Sequence, residues 1–221
     1  MKIFCLGDSL TEGDYGIFGK SGIGNVKPEN YPYFLQKLSC CEVFNFGKCG
    51  FNATSYLNFI NNGGINETDP DIIVIMLGTN GGMSVEPESQ GYFDYIEIIG
   101  YCKKEFPKSD IVLCTPPHAT ENSYYSNCGY MPNIISADKS VRKVAKEQKL
   151  PLIDVFGFGE FCEENVPKYQ SADGLHFNES GYNTLAEFIF QNLKTLFPER
   201  FKNKKQAKLK VCFFKFLIYI V

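Results

Sequence analysis

The stretch "GDSLTEGDYGIFGKS", residues 7–21, can be read in two ways, and the choice decides what kind of α/β chain this is. Its left half sets Ser9 directly behind the short apolar run Ile3–Leu6. Its right half ends in Gly19-Lys20-Ser21, the tail of a phosphate-cradling loop. Such a loop needs G-x-x-x-x-G-K-[ST] between a strand and a helix whose first amides hold the phosphates. Counting back from Gly19 reaches Asp14, a carboxylate where the first glycine belongs. After Ser21 the chain runs "GIGNVKPEN", with two glycines and a proline where a helix must begin. The nucleotide reading fails on both counts, which leaves Ser9 at the carboxyl end of a strand.

Outward from this stretch the chain alternates short apolar runs with longer amphipathic ones. Ile3–Leu6, Glu42–Phe46, Ile72–Leu77, Ile111–Thr115 and Leu152–Val155 are predicted strands, rich in β-branched and aromatic residues. Pro32–Ser39, Ala53–Ile60, Gly91–Phe106 and Asn133–Gln148 are predicted helices. A last helix carries Leu185, Phe188, Ile189, Leu193 and Leu196 in one apolar stripe. This alternation predicts a parallel sheet covered on both faces, with ligands bound beyond the carboxyl ends of its strands.

At 221 residues and 44% hydrophobic content the chain suits one globular domain. With 22 basic and 25 acidic residues its net charge is −3, so no nucleic-acid partner is expected. Nine cysteines with no CxxC pair read as buried, reduced thiols, and two histidines offer little for a zinc site. The start, Met1 into Lys2–Leu6 and then Gly7-Asp8, is too short for a signal segment, so a cytoplasmic protein is expected. The three Asn-x-Ser/Thr sequons at Asn52, Asn66 and Asn178 are then chance matches. Beyond Phe197 the composition changes to a basic run and then "VCFFKFLIYIV". The expected division is a domain over 1–197 and a tail over 198–221. Those eleven residues are too few to span a bilayer, which takes about 20, although the tail could still touch a membrane surface.

A serine hydroxyl is a weak nucleophile and needs a base oriented by a third group. Near the far end stands "SADGLHFNESGY", with Asp173 three residues ahead of His176. On a tight loop that spacing lets the carboxylate accept from one ring nitrogen while the other faces the serine. Between them "NFGKCG" (Asn45–Gly50) and "LGTNGG" (Leu77–Gly82) close the second and third predicted strands. His118, in "TPPH", is the rival base. It has no carboxylate at a comparable local spacing, so a pocket-lining role fits it better. Gly47 reads as a turn residue and Glu12 as a solvated loop carboxylate.

The order Gly7-Asp8-Ser9-Leu10, Asn45-x-Gly47-x-x-Gly50, Gly78-x-Asn80, Asp173-x-x-His176 resembles the GDSL, or SGNH, hydrolase family over residues 1–197. The resemblance implies a three-layer αβα sandwich around a five-stranded parallel sheet of flavodoxin-like type. It implies Ser9 as nucleophile, His176 as base and then acid, and Asp173 as its orienting group. The N–H groups of Ser9 and Gly50 and the Asn80 amide would form the oxyanion hole, with no metal or cofactor. Two departures stand out. Gly81 replaces the aspartate usual after Asn80, which leaves the support of that loop in question, and Phe177 stands where proline is frequent.

The function expected is a serine esterase acting through an acyl-enzyme on a small-molecule, carbohydrate or lipid ester. The polar and aromatic loop over 116–132, with Tyr124, Tyr125 and His118 as candidate substrate contacts, suits a short acyl group on a polar alcohol. A lysophospholipase or thioesterase, and a non-catalytic binding module on the same fold, are the alternatives.

Overall fold

The computed structural model describes residues 1–16, 25–120 and 130–202. Five strands form one parallel sheet: β1 (Lys2–Gly7), β2 (Glu42–Gly47), β3 (Ile72–Met76), β4 (Asp110–Cys114) and β5 (Leu152–Ile153). Their order is β2-β1-β3-β4-β5, so the chain reverses its direction of winding beside β1. The crevice at such a reversal is where ligands bind in open α/β sheets. In register, Gly7 faces Gly47 on one side and Met76 on the other, so three strands end side by side there.

Helices cover both faces, as the near-continuous apolar strands require. On one face α2 (Tyr31–Ser39) and α6 (Glu179–Leu196) bury Tyr31, Leu35, Tyr182, Leu185 and Ile189 against Ile3, Cys5, Val74 and Val112. On the other, α3 (Ala53–Asn61), α4 (Gln90–Glu105) and α5 (Tyr130–Gln148) cover Phe4, Leu6, Ile73, Ile75 and Leu113. Successive strand residues thus feed opposite cores, the period-two rule of a strand buried on both sides. This is the expected three-layer αβα sandwich.

Local chemistry starts the helices where the periodicity places them. The Asn30, Asn52 and Asn178 side chains accept N–H bonds from Tyr33, Ser55 and Gly181 at the N-termini of α2, α3 and α6. The asparagines of two of the three sequons are therefore helix caps. Two short helices were not expected from the sequence. One is α1 (Ser9–Glu12), and the other is α7 (Pro198–Lys202), past the compositional break at Phe197. Arg200 of α7 pairs with Asp110 Oδ2 at 2.9 Å and Asp71 Oδ1 at 3.2 Å, and Phe201 meets Phe190 edge-on. Among the described residues no helix is long and apolar enough to cross a membrane.

Candidate active site

Ser9 opens α1 directly beyond β1, and the neighbouring residues hold that short helix in place. Asp8 Oδ1 accepts the Leu10 N–H at 3.1 Å, and the Asp8 carbonyl accepts from Thr11 and Glu12. The Asn45 side chain donates to the Thr11 carbonyl at 2.8 Å and accepts from the Gly47 amide at 2.8 Å, which straps α1 onto β2. Gly47 is not a turn residue. It ends β2, and a Cβ built there would lie 2.1 Å from the Glu12 nitrogen. Glycine is needed because one backbone crosses another at that point. Glu12 differs from expectation as well: half-buried, it accepts the Cys49 N–H and so ties the first loop to the second.

The loop ahead of α6 brings the candidate base, His176. Asp173 Oδ1 accepts the N–H groups of Leu175 and His176, each at 3.0 Å, so the Asp-x-x-His spacing closes a tight turn. Asp173 Oδ2 then accepts from His176 Nδ1 at 2.8 Å, and His176 Nε2 lies 2.9 Å from Ser9 Oγ. A carboxylate can only accept, so Nδ1 carries the proton and Nε2 accepts from the serine hydroxyl. All three side chains are buried. Burial acts to raise the Asp173 carboxyl, but the His176 ring and the two backbone amides outweigh it and hold it below the usual carboxylate range. Phe177, in the family's proline position, is fully buried and stacks on Phe161 at 4.8 Å beneath the histidine loop. On the outer side Thr120 N–H donates to the Gly174 carbonyl at 2.9 Å.

The oxyanion-hole candidates sit at the ends of the adjoining strands. The N–H groups of Ser9 and Gly50 have no acceptor among the described residues, and Gly50 is exposed at φ +75° with open space around it. Asn80 gives one Nδ2 hydrogen to the Phe51 carbonyl at 3.0 Å, beside Gly50, which leaves the other for a substrate oxygen. The loop holding Asn80 turns at Gly81, where the family usually has aspartate. Gly81 adopts φ +72° and donates to the Gly78 carbonyl at 3.1 Å. Asn133 of α5 lies 2.9 Å from where a Gly81 Cβ would stand, so a side chain from another element occupies that space.

Complete burial pushes the Asp8 carboxyl up to about 6, against hydrogen bonds from Leu10 and Thr79 that oppose it. His118 is half-buried and stacks on Phe156, ring centroids 4.0 Å apart, while its carbonyl accepts from Gln170 at 2.9 Å. Burial lowers its imidazole pKa. Ser9 bonds to His176, not to His118. Tyr124 and Tyr125 lie outside the described residues. One close neighbour had no sequence signal: Asp14 Oδ2 is 3.7 Å from His176 Nε2. Among the described residues no cluster of three or more His, Cys, Asp or Glu side chains is arranged to hold a metal ion.

A five-stranded αβα sandwich with a serine and histidine hydrogen-bonded at the carboxyl edge of its sheet is the architecture of SGNH-type hydrolases. The chain belongs to the GDSL-like lipase/acylhydrolase family, whose model matches residues 5–184, and is an ester-hydrolysing enzyme. It is 22% identical over 180 residues to an isoamyl acetate-hydrolyzing esterase of Schizosaccharomyces pombe, covering 74% of this chain and 71% of the relative. The fold is shared with a lipase/acylhydrolase from Enterococcus faecalis at TM-score 0.66 and 24% identity, over 88% of this chain and 95% of that one. It is also shared with Est24, a carbohydrate acetylesterase from Sinorhizobium meliloti, at TM-score 0.66 and 15% identity, over 89% and 99%.

Proposed function

We propose that this enzyme is a serine esterase that cleaves short-chain acyl esters, acetyl esters foremost, through a covalent acyl-enzyme. The observation that carries the reading is the continuous chain Ser9 Oγ–His176 Nε2 at 2.9 Å and His176 Nδ1–Asp173 Oδ2 at 2.8 Å, all of it buried. In acylation Ser9 Oγ bonds to the ester carbon as its proton passes to Nε2, and the carbonyl pair moves onto oxygen. The N–H groups of Ser9 and Gly50 and the free Asn80 amide hydrogen receive that oxyanion. Each such donor contributes about 2.7–4 kcal/mol to the transition state. Nε2–H then protonates the departing alkoxide. Water repeats the sequence on the acyl-enzyme and restores Ser9.

The short acyl group is supported by the acetate ester in the name of the yeast relative and by the acetylesterase activity in the name of the bacterial one. The test is labelling of the full chain with a serine-directed fluorophosphonate, with the modified residue located by mass spectrometry, alongside kcat/KM for p-nitrophenyl acetate, butyrate and palmitate. Modification at Ser9 with acetate or butyrate cleaved faster than palmitate is expected. A protein that neither labels nor turns over is a binding module, and a preference for palmitate makes it a lipase-type enzyme.

A further inference from the structure

Two carboxylates face the His176 ring, one at each nitrogen. Asp173 Oδ2 holds Nδ1 at 2.8 Å, and Asp14 Oδ2 stands 3.7 Å from Nε2, the atom that also meets Ser9. Asp14 is 5% exposed and firmly anchored. Its Oδ1 accepts the Gly16 N–H at 2.9 Å and the Asn25 N–H at 2.8 Å, and its carbonyl accepts the Tyr182 hydroxyl. Its Oδ2, by contrast, has one donor among the described residues, the Cys49 thiol at 3.8 Å. That is a weak partner for a buried carboxylate oxygen.

The missing partner is present only during reaction. At rest Nε2 accepts the Ser9 hydroxyl, and its lone pair offers Asp14 nothing. Once Oγ has bonded to the ester carbon and its proton has moved to Nε2, the ring is a cation with an N–H beside Oδ2. When Nε2–H passes to the leaving alkoxide, the attraction ends. An interaction confined to the tetrahedral states raises kcat without tightening substrate binding.

We propose that Asp14 is a positioning residue of the esterase reaction, a second carboxylate that stabilises the His176 imidazolium from the Ser9 side. This rests on the serine-esterase reading above and adds to it a group that acts through the base. A carboxylate here also repels the oxyanion forming beside Gly50, and a net effect of that sign overturns the proposal.

The test compares the full chain with Asp14→Asn, which keeps an Oδ1 acceptor for Gly16 and Asn25 while removing the charge. A second variant, Asp14→Ser, retains a turn-capping oxygen. With p-nitrophenyl acetate, kcat should fall at least about tenfold with KM within about twofold, since the lost interaction exists only in the transition state. Labelling by fluorophosphonate should slow by a similar factor. The inhibition constant of an unreactive amide analogue of the substrate should not move. Unchanged or increased kcat, or a raised KM at constant kcat, overturns the proposal, and so does failure of both variants to fold. His176→Ala, assayed in parallel, separates the two claims. If it is inactive while Asp14→Asn is fully active, only the role of Asp14 is lost. If it turns over well, the underlying triad is wrong.

Discussion

Gly47→Ala tests whether the crossing of two backbones holds Ser9 in place. The new Cβ would stand 2.1 Å from the Glu12 nitrogen and 2.6 Å from the Glu12 Cα and Thr11 carbonyl carbon, where ordinary contact begins at 3.4 Å. None of these is the end of a flexible side chain, so α1 must move away from β2 by about 1.3 Å, the difference between 3.4 and 2.1 Å. The Asn45 strap, at 2.8 Å to the Thr11 carbonyl, resists that movement and turns it into strain. Forcing a methyl group into such a contact costs about 1–3 kcal/mol. For a chain of this size that lowers Tm by roughly 2–12 °C, at about 2–4 °C per kcal/mol. Ser9 rides on α1, and a displacement near 1 Å takes it out of hydrogen-bond reach of His176 and costs on the order of 100-fold in kcat/KM. The control is Gly63→Ala, at φ +78° with nothing within 4 Å, which should lose about 1 kcal/mol and no activity. The assays are p-nitrophenyl acetate turnover and a thermal melt. A Gly47→Ala enzyme with wild-type turnover and wild-type Tm refutes the close-approach argument.

The same contacts lead to four further expected outcomes. Asp8 has its folded pKa raised to about 6 from 3.8, so the stability tied to its neutral form is full below pH 4 and lost as pH rises through about 6. Asp8→Asn, which keeps the cap on Leu10, should therefore raise Tm at pH 7.5, by up to a free energy on the order of 2–3 kcal/mol, and leave it nearly unchanged at pH 4. His176→Ala should abolish turnover almost as fully as Ser9→Ala, without adding to it in the double variant, and Asp173→Asn should leave more activity than either. His118→Ala should mainly shift KM, and an inactive His118→Ala beside an active His176→Ala would reverse the assignment of the base. Ending the chain after Lys202 should keep esterase activity within a few-fold, whereas ending it after Phe197 removes the Arg200 and Phe201 contacts and should cost about 1–2 kcal/mol on a chemical melt.

The strands, the main helices and the turn of Asp173 onto His176 were legible because each depends on near neighbours in the chain, whereas Ser9 and His176, 167 residues apart, were paired only through the family's motif order. Ile72–Met76 is a strand by its own β-branched run, and Asp173 turns onto His176 through bonds that close within three residues. The boundaries shifted by one to three residues where caps and first or last turns decide them. The sequence carried no sign of what two distant segments do to each other. Gly47 read as a turn because its sequence neighbours suggest one, yet what requires a glycine is the Glu12 backbone, brought there by the pairing of β1 with β2. At Gly81 the space a Cβ would take is met by Asn133 of α5, a neighbour that no local reading of the third loop could supply. Asp14 was no more than a wrong residue in a failed phosphate loop, and it meets His176 only because α1 and the loop before α6 converge over the end of β1. Local hydrogen bonding and apolar periodicity are written into adjacent residues. Contacts across a sheet edge depend on strand order and register, and those are settled only when the whole core packs.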